Sequence, residues 1–173
     1  MGSGAGRRPP AGGRNFALPL HINYEDTDAG GVVYYANYLA YMERARNAWL
    51  RKLGFSLTGL ERRHRVLFTV TEARLKYRAA GRLDDELEVT LEIMRLQHAS
   101  IKFRQTVRRG GGLLVDGEIR LGLVNSDTFK PCRMPAELAD AINRWSRSDR
   151  AGAPEHSANA RSRDLPTSRC RLN

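Results

Sequence analysis

Between about Ala36 and Leu53, apolar side chains recur at spacings of three and four: Leu39, Met42, Ala45, Ala48 or Trp49, and Leu53. That spacing is the buried stripe of an amphipathic helix. Neither Gly nor Pro interrupts it, and Gly54 supplies a stop. Such a helix reaches about 27 Å at about 1.5 Å per residue. It is long and rather apolar, so something larger must wrap it.

Period-two stretches supply the wrapping. Residues 17–24 alternate after Pro19 and predict a first strand. Residues 66–78 put Val66, Phe68 and Val70 on one face, and Leu67, Thr69, Thr71, Ala73, Leu75 and Tyr77 on the other. Residues 86–96 alternate through Leu87, Val89, Leu91 and Ile93. Ile101, Phe103, Gln105 and Val107 mark the next strand, ended by Gly110-Gly111-Gly112, and Leu113 to Val124 gives the last. Pro135 opens a short final helix over about Ala136 to Trp145. The order is strand, long helix, four strands in meander spacing, short helix. The predicted class is α+β, with an antiparallel five-stranded sheet around one long helix. There is no internal repeat and no sign of a second domain.

Charge changes the picture little. The net charge is +10 over 173 residues. Residues 1–14 carry three Arg and no acid, and residues 147–173 carry six Arg against three acids. Both segments are rich in Gly, Pro, Ser, Ala and Arg and are expected to be disordered arms around a domain at 15–146. The basic character is therefore mainly a property of the tails, and nucleic acid is not favoured as a partner. Two cysteines fit a reducing compartment, no apolar run reaches the length of a membrane span, and no secretory apolar core stands at the start. A cytoplasmic location is the expectation. His21, His64 and His98 show no metal-ligand spacing, so neither metal nor cofactor is expected. No Gly-x-Ser-x-Gly elbow is present.

Chemistry gathers just before the long helix, in Tyr24-Glu25-Asp26-Thr27-Asp28-Ala29-Gly30-Gly31-Val32-Val33-Tyr34-Tyr35-Ala36-Asn37-Tyr38. Three carboxylates fall within four positions, followed by two glycines and a helix start. Glycines let a backbone pass close to a ligand. The first N–H groups of a helix lack internal acceptors and carry partial positive charge. A carboxylate and an anion-binding backbone thus stand side by side, as ester or thioester hydrolysis needs. Asp or Asn before a helix is also an ordinary cap, and Asp-Ala-Gly-Gly an ordinary loop.

This segment, with Asn37-Tyr38 and Glu43-Arg44-Ala45-Arg46, resembles the hotdog-fold 4-hydroxybenzoyl-CoA thioesterase family, closest to its YbgC-type, Tol–Pal-associated acyl-CoA thioesterases. Tyr77-Arg78-Ala79-Ala80-Gly81-Arg82-Leu83-Asp84-Asp85 resembles the family's Tyr-x-x-Pro-Ala-Arg-x-x-Asp stretch. The resemblance covers about residues 17–146. It implies a hotdog fold and hydrolysis of an acyl-CoA or acyl-carrier-protein thioester. It gives Asp28 the catalytic role, as nucleophile or general base, and the Tyr35 N–H the oxyanion. Gly31, Val33, Tyr34, Asn37, Tyr38 and Arg82 are the implied substrate-binding residues. Hotdog subunits pair their sheet edges and share active sites, so a homodimer or tetramer is implied. Tyr35 stands where YbgC-type chains usually carry His, which bears on substrate preference more than on reaction type. Ala79-Ala80-Gly81 replaces the usual Pro-Ala.

One branch of the family uses a helix carboxylate, which would be Glu43. With Asp28 present, Glu43 is read as part of a surface or interface ion pair. Asp26 is read as a loop-shaping group. Tyr38, Tyr41 and Trp49 are expected to pack the helix, Tyr38 with a share in binding. Candidates for the CoA phosphates are Arg62, Arg63, Arg65, Arg82, Lys130 and Arg133. Two other readings stay open: a non-catalytic acyl-CoA-binding module on the same fold, and a basic nucleic-acid-binding protein.

Overall fold

The computed structural model describes residues 15–147. The two arms expected to be disordered lie outside the described residues, except that the last helix runs through Arg147. Five strands form one antiparallel sheet: β1 (Phe16–His21), β2 (Val66–Tyr77), β3 (Glu86–Gln97), β4 (Ser100–Arg109) and β5 (Gly112–Asn125). Among the described residues, three α-helices, α1 (Asn37–Lys52), α2 (Leu57–His64) and α3 (Ala136–Arg147), and a single 3-10 turn at Tyr24–Asp26 accompany the sheet.

Helix α1 forms where the three-four spacing places it. Tyr38, Tyr41, Met42, Ala45, Arg46, Trp49 and Leu50 are its buried residues. Arg51 and Lys52 fall in the last turn, where cations suit the helix dipole. The chain reverses at Gly54, whose φ of +89° suits glycine, and the Phe55 N–H closes on the Leu50 carbonyl.

The face of the sheet turned to α1 is apolar. Leu87, Val89, Leu91, Ile101, Phe103, Val107, Val115, Ile119 and Leu123 are each at most 2% exposed. The opposite face carries polar and charged pairs, including Lys102–Glu118 at 2.6 Å and Thr90–Thr106 at 2.7 Å. Exposed ion pairs of this sort keep the face soluble and contribute little to stability. Trp49 joins the layers, with edge-on contacts to Phe103 at 5.5 Å and Trp145 of α3 at 5.7 Å between ring centres.

Three features depart from the sequence reading. The strands do not form a four-strand meander, because the order is β1-β3-β4-β5-β2. Only β3, β4 and β5 meander. The segment after β2 crosses to the far side, and β2 pairs with β5. Second, β2 does not alternate throughout: the register shifts between Val70 and Glu72, a bulge that flips the parity of its faces. Phe68 before it and Leu75 after it therefore both pack on the core. Third, α2 was not expected. Ser56 caps it by accepting the Gly59 N–H at 3.0 Å, and Arg65, at φ 54°, ends it.

One polar group lies deep in the core. Gln105 of β4 is fully buried, accepts from Arg46 Nη1 at 2.8 Å and donates to the Met42 carbonyl at 2.9 Å. Gln105→Leu keeps the volume but strips the Arg46 guanidinium of that acceptor. It is expected to cost about 2–3 kcal/mol by chemical denaturation, and a loss under about 0.5 kcal/mol would show that the bond contributes nothing net.

Candidate active site

The loop from β1 to α1 is stitched to the crossover from β2 to β3. Ile22 donates its N–H to the Asp85 carbonyl at 3.0 Å, and Asp84 returns an N–H to the Ile22 carbonyl at 3.1 Å. Further along, Val33 donates to the Gly81 carbonyl at 2.9 Å, and Val32 bridges Arg82. The two segments that carry the sequence motifs thus lie side by side, although about fifty residues separate them.

Within the loop, Asp26 is 5% exposed and shapes the backbone. Its carboxylate accepts the Asn23 N–H at 2.9 Å, while its carbonyl accepts the Tyr34 N–H and Asn37 Nδ2. Asp28 heads the next turn. Its carbonyl accepts the Gly31 N–H at 2.9 Å, its N–H donates to Val32, and its Oδ1 accepts the Gly30 N–H at 2.8 Å. Gly31 sits at φ +70°, as this turn requires. The Asp28 side chain is exposed, and among the described residues Oδ2 has no partner.

Helix α1 begins directly after this turn. Tyr34 and Asn37 close a tight turn through Asn37 N–H to the Tyr34 carbonyl at 2.9 Å. Among the described residues, the intervening N–H groups of Tyr35 and Ala36 meet no acceptor. Side by side at the helix start, they form a ready donor pair for a negative oxygen.

Aromatic rings wall the entrance. Tyr34 and Tyr35 are exposed and tilted against each other at 4.7 Å, and Tyr77 stands edge-on to Tyr35 at 6.4 Å and donates its hydroxyl to the Tyr35 carbonyl at 3.2 Å. The neighbouring Tyr35 hydroxyl first, and then the Asp28 charge among smaller causes, push the Tyr34 hydroxyl above its usual pKa. The Asp28 carboxylate is therefore within electrostatic reach of this wall. Tyr38 is 2% exposed, and its hydroxyl accepts the Gly81 N–H at 2.8 Å. Burial pushes its pKa up. Burial does the same to Tyr41, and the nearby Asp26 carboxylate reinforces it without closing a well-formed hydrogen bond.

The expected site residues divide by position. Asp28, Gly31, Tyr34, Tyr35 and Arg82 are exposed around the turn, Asn37 is half-buried beneath it, and Val33 and Tyr38 lie in the core. Glu43 is exposed one to two turns along α1 and makes no ion pair within 4 Å among the described residues. Arg62, Arg63, Arg65, Lys130 and Arg133 gather at the Val66 end of β2, whereas the turn lies at the Tyr77 end, about 40 Å away along a fully extended strand. Of the candidate CoA-phosphate ligands, only Arg82 adjoins Asp28 within one chain. The sequence reading did not name Tyr77, Gly81 or Asp85 as site residues. The signal for them was the second motif, in which all three stand. Among the described residues there is no metal-binding cluster of His, Cys, Asp or Glu, and no helix is long and apolar enough to cross a membrane.

A family model described as the thioesterase-like superfamily matches residues 22–142. The chain belongs to this superfamily. Within it, the chain is 37% identical over 128 residues to the acyl-CoA thioesterase YbgC of Haemophilus influenzae, covering 74% of this chain and 94% of that protein. It is 40% identical over 124 residues to the acyl-CoA thioester hydrolase YbgC of Escherichia coli O6:H1, covering 71% and 92%. A probable thioesterase from Bartonella henselae superposes with a TM-score of 0.68 at 30% identity, covering 70% of this chain and all of the other. The hotdog architecture and the YbgC-type kinship implied by the motifs both hold.

Asp85 holds the crossover beside the turn. It accepts the Arg82 N–H and an Arg109 Nη1 donation, each at 2.7 Å. Burial alone would raise its pKa, but the Arg109 and Arg82 bonds outweigh it and leave the carboxyl below its usual 3.8. The folded state therefore favours the ionised form. Its stabilisation is present above the ordinary carboxylate range and is lost as pH falls through the depressed value. Asp85→Asn is expected to lower stability by about 1 kcal/mol at neutral pH. Urea melts of both proteins should converge as pH drops below the usual 3.8, and a gap that persists there would contradict this assignment.

Proposed function

We propose that this chain hydrolyses acyl-CoA thioesters to the free acid and CoA, with Asp28 as the working carboxylate. The observation that carries the activity is the near-complete coverage of the YbgC relatives, themselves acyl-CoA thioesterases, at 37–40% identity. The geometry of the turn supports the residue roles. Gly30, whose Cβ would stand 3.1 Å from Asp28 Oδ1, keeps the carboxylate clear of a neighbouring side chain, with one oxygen anchored and the other free. The Tyr35 N–H, with Ala36 beside it, is the proposed donor to the thioester oxygen as it becomes negative. Attack by Asp28 on the carbonyl carbon would form a mixed anhydride and release the CoA thiolate; water then hydrolyses the anhydride, giving the acid, restoring the Asp28 carboxylate and supplying the proton for the thiol. Acting as a base instead, Asp28 would take a proton from water as that water attacks. Both routes end in acid and thiol. Tyrosine in place of histidine at position 35 leaves this backbone donor intact, because the N–H does not depend on the side chain.

Asp28 stands open to solvent in a single chain, where water screens its charge. A second copy of the chain is the proposed cover. The two sheet edges differ: β1 is short and contains Pro19, whereas β2 runs 12 residues without proline and exposes Val70. A long edge without proline invites pairing, and self-pairing of β2 about a two-fold axis closes it. Antiparallel pairing there also lays the basic Val66 end of one copy beside the Tyr77 end of the other. This brings cations to the phosphates of CoA. The composition supports a cytoplasmic setting for the assembly.

Two measurements test the proposal. Asp28→Asn is expected to lower thiol release from acyl-CoA by at least about a hundredfold while leaving the thermal melt in place. An unchanged rate would remove Asp28 from the chemistry. Light scattering should report a dimer or a dimer-based tetramer, and Val70→Lys on the β2 edge should shift it towards monomer and reduce turnover. A fully active monomer would refute a shared site.

A further inference from the structure

Between α1 and the β2 side of the sheet lies a cavity of about 120 Å³. Its walls are mainly apolar, from Leu50, Phe68, Ile101, Phe103 and Leu121, with Asn47 as a polar member. Glu43 and Val70 line it too, and both are exposed, which marks the mouth. Arg46 also lines it and is only 7% exposed.

Arg46 has no carboxylate within 4 Å among the described residues, and its one protein acceptor there is the neutral Oε1 of Gln105. A guanidinium offers five N–H donors in a fixed fork, so most remain unused. Burial holds its pKa below the ordinary value, while the Glu43 charge pulls the other way. A buried cation without an anion is costly, and structures seldom retain one. Water reaching the unused donors supplies hydrogen bonds but no countercharge. Glu43 is a poor partner, being exposed and beyond ion-pair distance. The charge is thus left without a counter-anion among the described residues, and the cavity beside it is open to one.

Size and reach describe what enters. An apolar cavity of roughly 150 Å³ holds a benzene, so this one takes a short chain segment and its end group. Gln105 fixes the guanidinium near the Met42 carbonyl. From Tyr35 to Met42 the rise along α1 is about 10 Å, the reach of six to eight carbons with ~1.5 Å bonds.

We propose that this cavity receives the far end of the acyl group, and that Arg46 selects acyl thioesters whose chain ends in a carboxylate. The inference rests on the thioesterase reading and names its substrate class. Gln105 acts as the positioning residue that holds the fork open towards the cavity. The carboxylate pairs with the free N–H groups in two parallel bonds, a geometry that lysine cannot match.

The test compares chains of equal length: hexanoyl-CoA against adipoyl-CoA, and octanoyl-CoA against suberoyl-CoA. For the wild type, kcat/KM should favour the carboxylate-ended member by at least tenfold, and the monomethyl ester of adipoyl-CoA should rank with hexanoyl-CoA. Arg46→Met should collapse the ratio towards one. If that variant does not fold, Arg46→Lys should lower the ratio at least threefold. Equal rates for the wild type, or a ratio unchanged in the variants, overturn the proposal. If no thioester is cleaved, the thioesterase reading itself has failed. The cavity is then tested alone, by the thermal shift with hexanoate against neutral hexanamide. Stabilisation by hexanoate only, lost in Arg46→Lys, supports the anion site, and equal shifts reject it.

Discussion

A single buried hydrogen bond, from the Gly81 N–H to the Tyr38 hydroxyl at 2.8 Å, fixes where α1 begins. Gly81 lies in the crossover between the two outer halves of the sheet, and Tyr38 in the first turn of the helix. A Cβ at Gly81 would stand 3.1 Å from the Val33 side chain and 3.5 Å from the Tyr38 hydroxyl, so the close approach favours glycine. The hydrogen bond to Tyr38 acts with the Val33 N–H to Gly81 carbonyl bond, which ties the preceding loop to the same residue. With both, the Asp28 turn is held between two clamped strands of backbone, and the open N–H groups of Tyr35 and Ala36 stay beside that turn. Rigidity here comes from packing and backbone bonds under the loop, which leaves the loop's own surface free for chemistry.

Local periodicity carries much of this architecture. The stripe from Tyr38 to Leu50 and the alternation in β3, β4 and β5 read directly as one helix against one apolar sheet face. What escaped was non-local or short. Pairing β2 with β5 is decided by long-range contacts that leave no trace in the β2 sequence itself. The bulge after Val70 reverses which side chains face inward, so an unbroken alternation misplaces Leu75. Helix α2 buries only Leu60 and contains Gly59, too little signal for a periodicity argument.

The site was legible in a similar way. Asp28 stood out because carboxylates and glycines cluster before a helix, which is a local feature. Tyr77, Gly81 and Asp85 lie some fifty residues downstream, and only folding brings them beside the turn. Their spacing matched a family stretch, but nothing in composition says that Gly81 must be small where Val33 packs against it. The Arg46–Gln105 bond is likewise invisible in sequence, where Gln105 looks like one polar break in a strand and Arg46 like one more surface cation.

These buried polar groups set the structure's internal tension. A domain of this size gains stability mainly from apolar burial, and its sheet face is nearly uniform in that respect. Arg46 interrupts that uniformity at the point where α1 crosses β4. An apolar residue of similar volume would pack there without desolvating a charge and would often be the more stable choice. Gln105 offsets part of the cost but, being neutral, cannot cancel the charge. The remainder is an unmet demand for negative charge at the wall of a mainly apolar cavity. That demand is hard to account for by folding alone and easy to account for by a ligand that brings its own anion.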